Sequence, residues 1–296
     1  MTEALTALDA VLDAELAAAP VTGAAPRRVS VWCGHPGRPA AYQRDPDALY
    51  YAASTMKVAV MLAAFRRHEA DGLDLDQRVS VVNRFPSAYD GVPFSVDRAE
   101  DNDPQVWDAL GTEVPLRWLV ERMIVRSSNF ATNLVFGVVG AAAVAEAVRA
   151  AGATRMRVQR GIEDARAREN GLNNEVTAAD LARLMGGLAL GTVASAGSCD
   201  EMLRILYSQE WAEKIRAALP PGTRVANKDG WVAEINHDAA LVSPADAPPY
   251  LLVVCTEGYD EEAGKVMCRR VAAASWQDRH DLDTVSGRGA GSEQIV

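Results

Sequence analysis

A serine and a lysine stand three residues apart in the segment Ala53-Ser54-Thr55-Met56-Lys57. On a helix, this spacing places both side chains on one face, one turn apart. An amine in that position can accept the hydroxyl proton, but only where burial or nearby positive charge lowers the lysine pKa from its usual value of about 10.4. The pair therefore predicts nucleophilic catalysis, with Ser54 as the attacking group and Lys57 as its base.

Lysine is rare in this chain, and its positions support that prediction. Four of the 30 basic side chains are lysines, which leaves 26 arginines; the lysines are Lys57, Lys214, Lys228 and Lys265. Arginine could supply positive charge, but it effectively never loses its proton and could not act as a base at position 57. Because two of the four lysines fall in candidate motifs, we interpret lysine at these positions as a chemical requirement.

Two further motifs follow along the chain. Ser127-Ser128-Asn129 comes after a predicted helix over Leu116–Val125, and Lys228-Asp229-Gly230 lies just beyond a predicted strand over residues 223–226. In this order and at these separations, the three motifs resemble the Ser-x-x-Lys, Ser-Asp-Asn and Lys-Thr-Gly signature of class A β-lactamases and penicillin-binding proteins. The resemblance extends over roughly residues 1–276, and the secondary structure predicted around each motif agrees with it.

The resemblance implies a role for each matching side chain. Ser54 would form the acyl-enzyme, and Lys57 would accept its proton, directly or through a water molecule. Ser127 would relay a proton to the leaving group. Asn129 would hydrogen-bond a substrate amide, while Lys228 would supply the electrostatic field that favours proton loss at both serines.

Two backbone N–H groups are implied as the oxyanion hole. They belong to Ser54 and to Trp231, the residue after the third motif, and such donors typically contribute about 2.7–4 kcal/mol each. Asp229 and Gly230 would border the substrate at the same edge of the cleft. The Trp231 side chain can either line the cleft or pack beside the strand, and the sequence favours neither.

Class A β-lactamases also carry a glutamate after the helical lobe, which activates the water that releases the acyl group. Here residues 160–164, with the sequence Arg-Gly-Ile-Glu-Asp, lie at a suitable distance beyond Ser127. Glu163 is the candidate base, and Asp164 is the second choice. The Glu-x-x-Leu-Asn pattern of that loop is not reproduced, and the alternative is a loop carboxylate paired with Arg160 or Arg166.

Three substitutions change charge or hydrogen bonding inside the expected cleft. Ser128 replaces the acidic residue of the second motif, which normally braces the loop. Asp229 replaces the hydroxyl residue of the third motif, which in the family binds the carboxylate of a β-lactam. His237 stands about where many class A enzymes have an arginine for that same carboxylate.

The charge of Asp229 bears directly on the substrate. A second carboxylate at about 4 Å would be repelled by about 4 kcal/mol at an effective dielectric constant of about 20. Penicillins are therefore disfavoured. Either Asp229 is neutralised by Lys228, Arg224 or His237, or the substrate presents an amine or a neutral group at this point.

The elements around these motifs predict one α/β fold. An amphipathic helix precedes Pro20, and helical or strand periodicity then recurs along the chain. Further helices are predicted over residues 54–69, 116–125, 132–139, 141–151, 178–190 and 260–276, and strands over residues 28–33, 40–43, 223–226, 237–242 and 250–256. We expect an antiparallel sheet made from both chain ends, flanked by helices, with an inserted all-helical lobe, as in the β-lactamase and transpeptidase fold.

This order also predicts the organisation of the chain. A single catalytic domain is expected over residues 1–276, with the sheet lobe at about 1–50 and 205–276 and the helical lobe at about 51–204. Residues 277–296 lack periodicity and are expected to form a disordered tail. Residues 83–113 carry many turn formers and an acidic run; they either rim the cleft or form a solvated surface loop.

Composition narrows the partners. With 40 acidic against 30 basic side chains, the formal charge is −10, which argues against nucleic acid or an anionic membrane surface. No run approaches the ~18 apolar residues of a membrane span, and no export signal is recognisable, so a cytoplasmic location is expected. The spacing of Cys33, Cys199, Cys255 and Cys268 indicates free thiols rather than a metal or redox site.

The sequence therefore favours a β-lactamase-like serine hydrolase that acts through a Ser54 acyl-enzyme on a small-molecule amide, lactam or ester. Weak or no activity on common penicillins is expected, and neither a metal, an organic cofactor nor a particular oligomeric state is implied. One alternative is an acyltransferase, transpeptidase or esterase of a biosynthetic pathway. The other is a binding protein without turnover, which is less favoured because a binder needs no weakly basic lysine beside a serine.

Overall fold

The computed structural model describes residues 6–17 and 26–283 of the 296-residue chain. The helices are α1 (Thr6–Ala17), α2 (Lys57–Asp71), α3 (Pro104–Asp108), α4 (Leu116–Val125), α5 (Asn129–Val139), α6 (Ala141–Ala150), α7 (Ala165–Glu169), α8 (Ala178–Leu190), α9 (Ala196–Tyr207) and α10 (Glu261–Gln277). The strands are β1 (Arg28–Gly34), β2 (Tyr42–Arg44), β3 (Tyr50–Tyr51), β4 (Arg78–Ser80), β5 (Phe85–Pro86), β6 (Pro93–Phe94), β7 (Glu113–Pro115), β8 (Glu175–Val176), β9 (Arg224–Val232), β10 (Ile235–Ser243) and β11 (Tyr250–Glu257). Short 3-10 turns lie at Ala53–Met56, Arg98–Glu100 and Arg216–Ala218.

One five-stranded antiparallel sheet organises the molecule. Its strand order is β2-β1-β11-β10-β9, so strands from the two ends of the chain lie side by side. At its centre, Glu257 of β11 pairs with Arg28 of β1 on one side and with Ile235 of β10 on the other. The helical elements α2 to α9 are inserted between the two groups of strands. The predicted fold class is therefore confirmed.

Helices cover both faces of this sheet, which explains why β11 is a continuous apolar run rather than an alternating strand. On one face, Leu252 and Val254 join the core that contains residues of α1 and α10. On the other face, Leu251 and Val253 join the larger core that contains residues of α2, α4, α5 and α8. Successive side chains of a strand point to opposite faces, so β11 contributes to both cores.

Helix α2 lies inside the helical part, where α4, α5 and α6 pack against it. All its residues from Lys57 to Phe65 are buried. A helix that is apolar around its circumference is stable only when it is covered on all sides. Its last turn ends at Gly72, whose φ of 68° is the left-handed conformation that glycine adopts without strain. This packing takes the first side chain of the helix, Lys57, out of water.

Two local predictions differ from the structure. The α-helix begins at Lys57, and Ser54 lies in the 3-10 turn before it. The third motif does not follow a strand, because β9 runs over Arg224–Val232 and contains it. The buried polar residues Asn227 and Lys228 interrupt the apolar pattern by which a buried strand is recognised, and so the strand was predicted too short.

The end of the described chain packs onto the domain. After α10 the chain continues to Asp283, and Leu282 is fully buried. The predicted tail thus includes residues that belong to the folded part, and its residues 284–296 lie outside the described residues. All four cysteines are free, as expected, and all four are buried. Within residues 6–17 and 26–283, no single helix is long and apolar enough to cross a membrane; α5 and α6 reach that length and composition only as a pair, bent by 89°.

Candidate active site

A cleft of about 390 Å³ lies between one edge of the sheet and the helical part. Its lining includes Ser54, together with Asn129 at the start of α5 and Trp231 in β9. Ala53, the residue before the serine, has a φ of 45°, in the left-handed region that alanine rarely adopts. A larger cavity, of about 540 Å³, borders Tyr50, but none of the three motifs contributes to it. The motifs therefore identify the smaller cleft as the candidate active site.

Lys57 lies behind the cleft and is fully buried. Its Nζ donates to the carbonyl oxygen of Ser127 at 2.7 Å and to Asn129 Oδ1 at 3.0 Å, and it lies 3.2 Å from Ser127 Oγ. All three contacts are uncharged oxygens, and in the part of the chain that the structure describes Lys57 forms no salt bridge. Burial lowers the pKa of Lys57 well below its ordinary value, and the charge of Lys228 lowers it further. The arrangement suits a lysine that is neutral and able to accept a proton.

Ser127 is held in an uncommon conformation that serves this contact. Its φ is 58°, in the left-handed region, although it is not a glycine. The residue is fully buried, and both its carbonyl and its hydroxyl oxygen lie within hydrogen-bonding distance of Lys57. Backbone strain of this kind persists only where the surrounding contacts fix it. The structure thus brings the first and second motifs into direct contact.

A carboxylate from outside the motifs braces the loop at Ser128. The side chain of Asp101 accepts hydrogen bonds from Ser128 Oγ at 3.1 Å and from the backbone N–H groups of Asn129 and Phe130 at 3.3 and 2.9 Å. The Trp107 indole donates to the same carboxylate at 3.1 Å. Because Ser128 stands where the family has an acidic residue, Asp101 supplies the missing carboxylate from a distant segment. From the sequence, Asp101 was recognisable only as part of the acidic run within residues 83–113.

The carboxylate of Asp229 in the third motif is bonded to two lysines, Lys228 of the same motif and Lys214 from outside it. Asp229 lies 3.2 Å from Lys228 Nζ through Oδ1 and 3.1 Å from Lys214 Nζ through Oδ2, and all three side chains are buried. Burial alone would raise the pKa of Asp229, but the two ammonium groups hold it below its ordinary value. Burial lowers the pKa of Lys228, while Asp229 opposes that shift. Asp229 is therefore neutralised, and by Lys214 as well as by Lys228.

Lys214 is a partner of Asp229 that the sequence did not indicate. Besides Asp229, its Nζ donates to the carbonyl oxygens of Gly230 and His237 at 3.2 and 3.3 Å. It therefore joins β9 to β10 beside the third motif. The low number of lysines in the chain was a signal that could have identified it, but nothing in the sequence indicated which carboxylate it would meet.

Gly230 is the point at which β9 meets the Ser54 turn. A Cβ atom at this position would lie 2.7 Å from the backbone nitrogen of Ser54 and 3.0 Å from that of Thr55. Any larger residue would therefore obstruct the N–H group that the family resemblance assigns to the oxyanion hole. Trp231, which would supply the second N–H, lines the cleft and packs on Trp211, with ring centroids 5.2 Å apart.

The two carboxylates considered for deacylation differ in their surroundings. Asp164 is buried and accepts from Ser87 Oγ and the Ala88 N–H, and it also caps α7. Glu163 has a φ of 64°, and its Oε2 accepts from the Asp97 N–H at 2.7 Å. Among the described residues its buried Oε1 has no partner. Burial raises the pKa of Glu163, although the Asp97 N–H opposes that shift.

Ile162, rather than Glu163, contributes to the lining of the cleft beside Ser54. Asn133 fixes this residue from both sides: its Oδ1 accepts from the Ile162 N–H at 2.7 Å, and its Nδ2 donates to the Ile162 carbonyl at 2.9 Å. No sequence pattern indicated a role for Ile162 or Asn133. An aliphatic side chain here cannot activate water, so the position of Ile162 bears on whether an acyl group on Ser54 is hydrolysed.

His237 is placed differently from the expectation. It is fully buried, its Nε2 donates to the Tyr51 carbonyl at 2.9 Å, and its Nδ1 accepts from the Thr256 N–H at 3.3 Å. Burial lowers the pKa of His237 to about 4, so the ring is neutral at pH 7. With both nitrogens occupied, the ring has no free donor for a substrate. Over the described ranges, no group of three or more His, Cys, Asp or Glu side chains is arranged to hold a metal ion.

Comparison with known proteins identifies the family of the chain. The chain belongs to the beta-lactamase enzyme family, whose model (Beta-lactamase2) matches residues 12–278. It is accordingly a serine hydrolase that works through an acyl-enzyme. None of the curated proteins matches the chain.

Solved structures with the same fold cover nearly the whole chain. A β-lactamase from Sphaerobacter thermophilus DSM 20745 is 26% identical, with a TM-score of 0.77 over 93% of this chain and 97% of that one. PBP-A is 20% identical, with a TM-score of 0.75 over 92% and 95%. A β-lactamase from Xanthomonas campestris pv. campestris str. ATCC 33913 is also 20% identical, with a TM-score of 0.75 over 94% and 96%. The last two comparisons establish the shared fold.

Proposed function

We propose that the protein cleaves a small amide, lactam or ester through an acyl group carried on Ser54. The observation that carries this proposal is the environment of Lys57: a fully buried amine that meets only neutral oxygens, one turn from a serine in the cleft wall. A lysine held in this way has the lowered pKa that a general base needs at neutral pH. A protein that only bound ligands would have no use for such an amine.

The proposed reaction assigns each proton. Ser54 Oγ bonds to the substrate carbonyl carbon, and its proton passes to Lys57 Nζ. The bond from that carbon to the leaving group then breaks, and Ser127 passes a proton from Lys57 to the departing atom. The 3.2 Å separation of Lys57 Nζ and Ser127 Oγ supports this relay. Water or another acceptor then takes the acyl group and restores the Ser54 hydroxyl.

Common penicillins are poor candidates for the natural substrate. Their carboxylate needs a free cation or hydroxyl donor beside the third motif, but Lys228 and Lys214 are both bonded to Asp229. His237, the other candidate, is neutral and buried. Small β-lactams are substrates of related enzymes, and we propose that this protein instead acts on an acyl compound without a carboxylate at that position.

Acyl transfer is the second candidate function, and Ile162 favours it. Ile162 is part of the cleft lining and Glu163 is not, while the Glu163 carboxylate accepts from the Asp97 N–H. Where no base adjoins the acyl group, attack by water is slow, and an amine or alcohol that binds in the cleft would compete successfully. The role of Glu163 as the deacylation base therefore remains a prediction.

Intact-protein mass spectrometry over time tests these proposals. The protein is mixed with an activated aryl ester, with nitrocefin or with a penicillin, and Ser54→Ala is treated in parallel. We expect an ester adduct on the wild type and none on Ser54→Ala, with slower labelling by either β-lactam. An ester adduct of equal yield on Ser54→Ala would overturn the assignment of the nucleophile.

The fate of the adduct separates the two functions. If Glu163 is the deacylation base, the adduct clears in water, persists in Glu163→Gln, and clears normally in the control Glu169→Gln, an exposed glutamate of α7. If acyl transfer dominates, the adduct persists in the wild type until an amine such as glycinamide is added. If the adduct on Glu163→Gln clears at the wild-type rate, Glu163 is not the deacylation base.

A further inference from the structure

The cleft around Ser54 is negatively charged at its surface. Two carboxylates, Glu100 and Glu261, lie in its lining, and among the described residues that line it there is no lysine, arginine or histidine. Both glutamates are exposed. A ligand that enters the cleft therefore meets carboxylates before it meets any positive charge.

Glu100 belongs to the wall formed by the acidic segment. It ends the 3-10 turn Arg98–Glu100, and its carbonyl oxygen accepts from Asn129 Nδ2 at 3.1 Å. This bond fixes the backbone of Glu100 directly beside the side chain that the family resemblance assigns to substrate binding. In the described chain, no salt bridge is formed by the Glu100 carboxylate. Its charge is therefore available to a ligand.

Glu261 belongs to the opposite wall, where α10 begins close to Trp231. Its carboxylate is bonded to Lys265 at 2.7 Å, and Lys265 is bonded equally closely to Glu213. The bond to Lys265 lowers the pKa of Glu261, so the group is ionised at neutral pH. Two carboxylates thus share one ammonium group, and this wall keeps a net negative charge.

The lysines near the cleft do not reverse this charge. Lys57, Lys214 and Lys228 are each at most 2% exposed, and the last two are bonded to Asp229. These ammonium groups are therefore buried, whereas the carboxylates of Glu100 and Glu261 are exposed to solvent.

We infer that this protein selects acyl substrates that carry a positive charge, such as an ammonium group, and that Glu100 and Glu261 determine this specificity. The inference rests on the proposed function, because it concerns the same cleft and the same Ser54 acyl-enzyme. The carboxylates act on binding and on the approach of the substrate, and they take no part in bond breaking. Their contribution is expected in KM and in the acylation rate constant rather than in deacylation.

Three aryl esters of equal chain length test the inference. They end in a trimethylammonium group, in the neutral tert-butyl group of the same shape, or in a carboxylate, and their rates are normalised to spontaneous hydrolysis. We expect kcat/KM to fall in that order. Glu100→Gln and Glu261→Gln should each reduce the preference for the cation over the neutral ester roughly two- to fivefold, as exposed charge pairs typically do. Salt at ~1 M, where the Debye length is ~3 Å, should reduce it similarly.

Glu146→Gln is the matched control. Glu146 is exposed on α6, which contributes no residue to the cleft, so this variant changes the net charge equally and leaves the cleft intact. An equal loss of preference in Glu146→Gln would overturn the role of the two cleft glutamates. Equal rates for all three esters, with Ser54 acylated, would overturn the inference while the proposed function stands. No acylation of Ser54 by any ester would overturn both.

Discussion

The two motif lysines are both fully buried, yet their surroundings differ in charge. Lys57 contacts the oxygens of Ser127 and Asn129, which are neutral. Lys228 contacts the carboxylate of Asp229, which also binds Lys214. The surroundings of Lys57 thus favour the neutral amine, whereas the counter-ion of Lys228 favours the charged ammonium group.

This difference separates two tasks that one site must perform. A base must be neutral before it can accept a proton, whereas a group that supplies an electrostatic field must stay charged. The charge of Lys228 also contributes to the lowered pKa of Lys57. The neighbourhood of Lys228 therefore helps to prepare Lys57, and the two regions meet where β9 packs on the Ser54 turn.

Replacing Lys57 or Lys228 by arginine should give the largest difference in acylation rate between the two lysines. Arginine keeps the charge but cannot act as a base, so Lys57→Arg should lose roughly 10²–10⁴-fold in the rate of Ser54 acylation. Lys228→Arg should lose much less, because a charge next to Asp229 is preserved. Stopped-flow or mass-spectrometric acylation rates measure both, and thermal unfolding checks that each variant is folded. Equal losses in the two variants would contradict the separate roles.

Gly230→Ala disturbs the junction of the two regions. The added Cβ atom would lie 2.7 Å from the Ser54 nitrogen, so the turn and β9 must move apart. Loss of an oxyanion-hole donor typically costs about 10²–10³-fold in kcat, and we expect a loss in that range with an activated ester. Gly197→Ala, at a glycine with no atom within 4 Å of the added Cβ, is the control. An unchanged kcat in Gly230→Ala would exclude this N–H group from the reaction.

Asp229→Asn probes the same difference through stability. It leaves Lys214 and Lys228 buried without the carboxylate that they share, and we expect a loss of about 3 kcal/mol in the free energy of unfolding. Lys214→Met combined with Asp229→Asn removes one of the two unpaired ammonium groups and should recover part of that loss, which a double-mutant cycle in urea would measure. Lys57→Met should cost little, because it removes a buried amine that has no counter-ion. A larger loss for Lys57→Met than for Asp229→Asn would contradict the charge assignment.

The pH dependence of acylation should change less than the rates and stabilities in the variants above. The pKa of Lys57 is lowered, so the neutral amine persists to lower pH than in free lysine, and acylation should slow as the pH falls through that lowered pKa. The charge of Glu163 raises the pKa of Lys57, so Glu163→Gln should move this acid limb to lower pH. Pre-steady-state acylation rates across the pH range measure the limb. A shift to higher pH would reverse the sign that the charges require.

The motifs could be predicted from sequence because each is local. Ser54 and Lys57 are three residues apart, and the spacing of Ser127 and Lys228 from them matches the family order. The fold followed from the same source, since strands at both chain ends and helices between them give distinctive periodicities. Strand β9 was predicted too short because its centre is polar and still buried.

The parts of the site that sequence did not supply depend on distant contacts. Asp101 reaches the Ser128 loop from 27 residues away, and Lys214 meets Asp229 across 15 residues. No periodicity records such pairs. Ile162, and not the neighbouring Glu163, is part of the cleft lining. The two hydrogen bonds between Ile162 and Asn133 fix this position, and no spacing rule predicts which of two adjacent loop residues lines a cleft.

The role of Ser54 as the nucleophile is tested by mapping the residue that carries the acyl group. The wild type is pulsed with an activated ester at pH 7, digested, and its peptides are sequenced by tandem mass spectrometry, with Ser54→Ala and Lys57→Arg treated identically. We expect the acyl mass on Ser54, no acyl peptide in Ser54→Ala, and slower labelling in Lys57→Arg. An acyl group on Ser127 or another residue of the wild type, or labelling of Ser54 at an unchanged rate in Lys57→Arg, would contradict it.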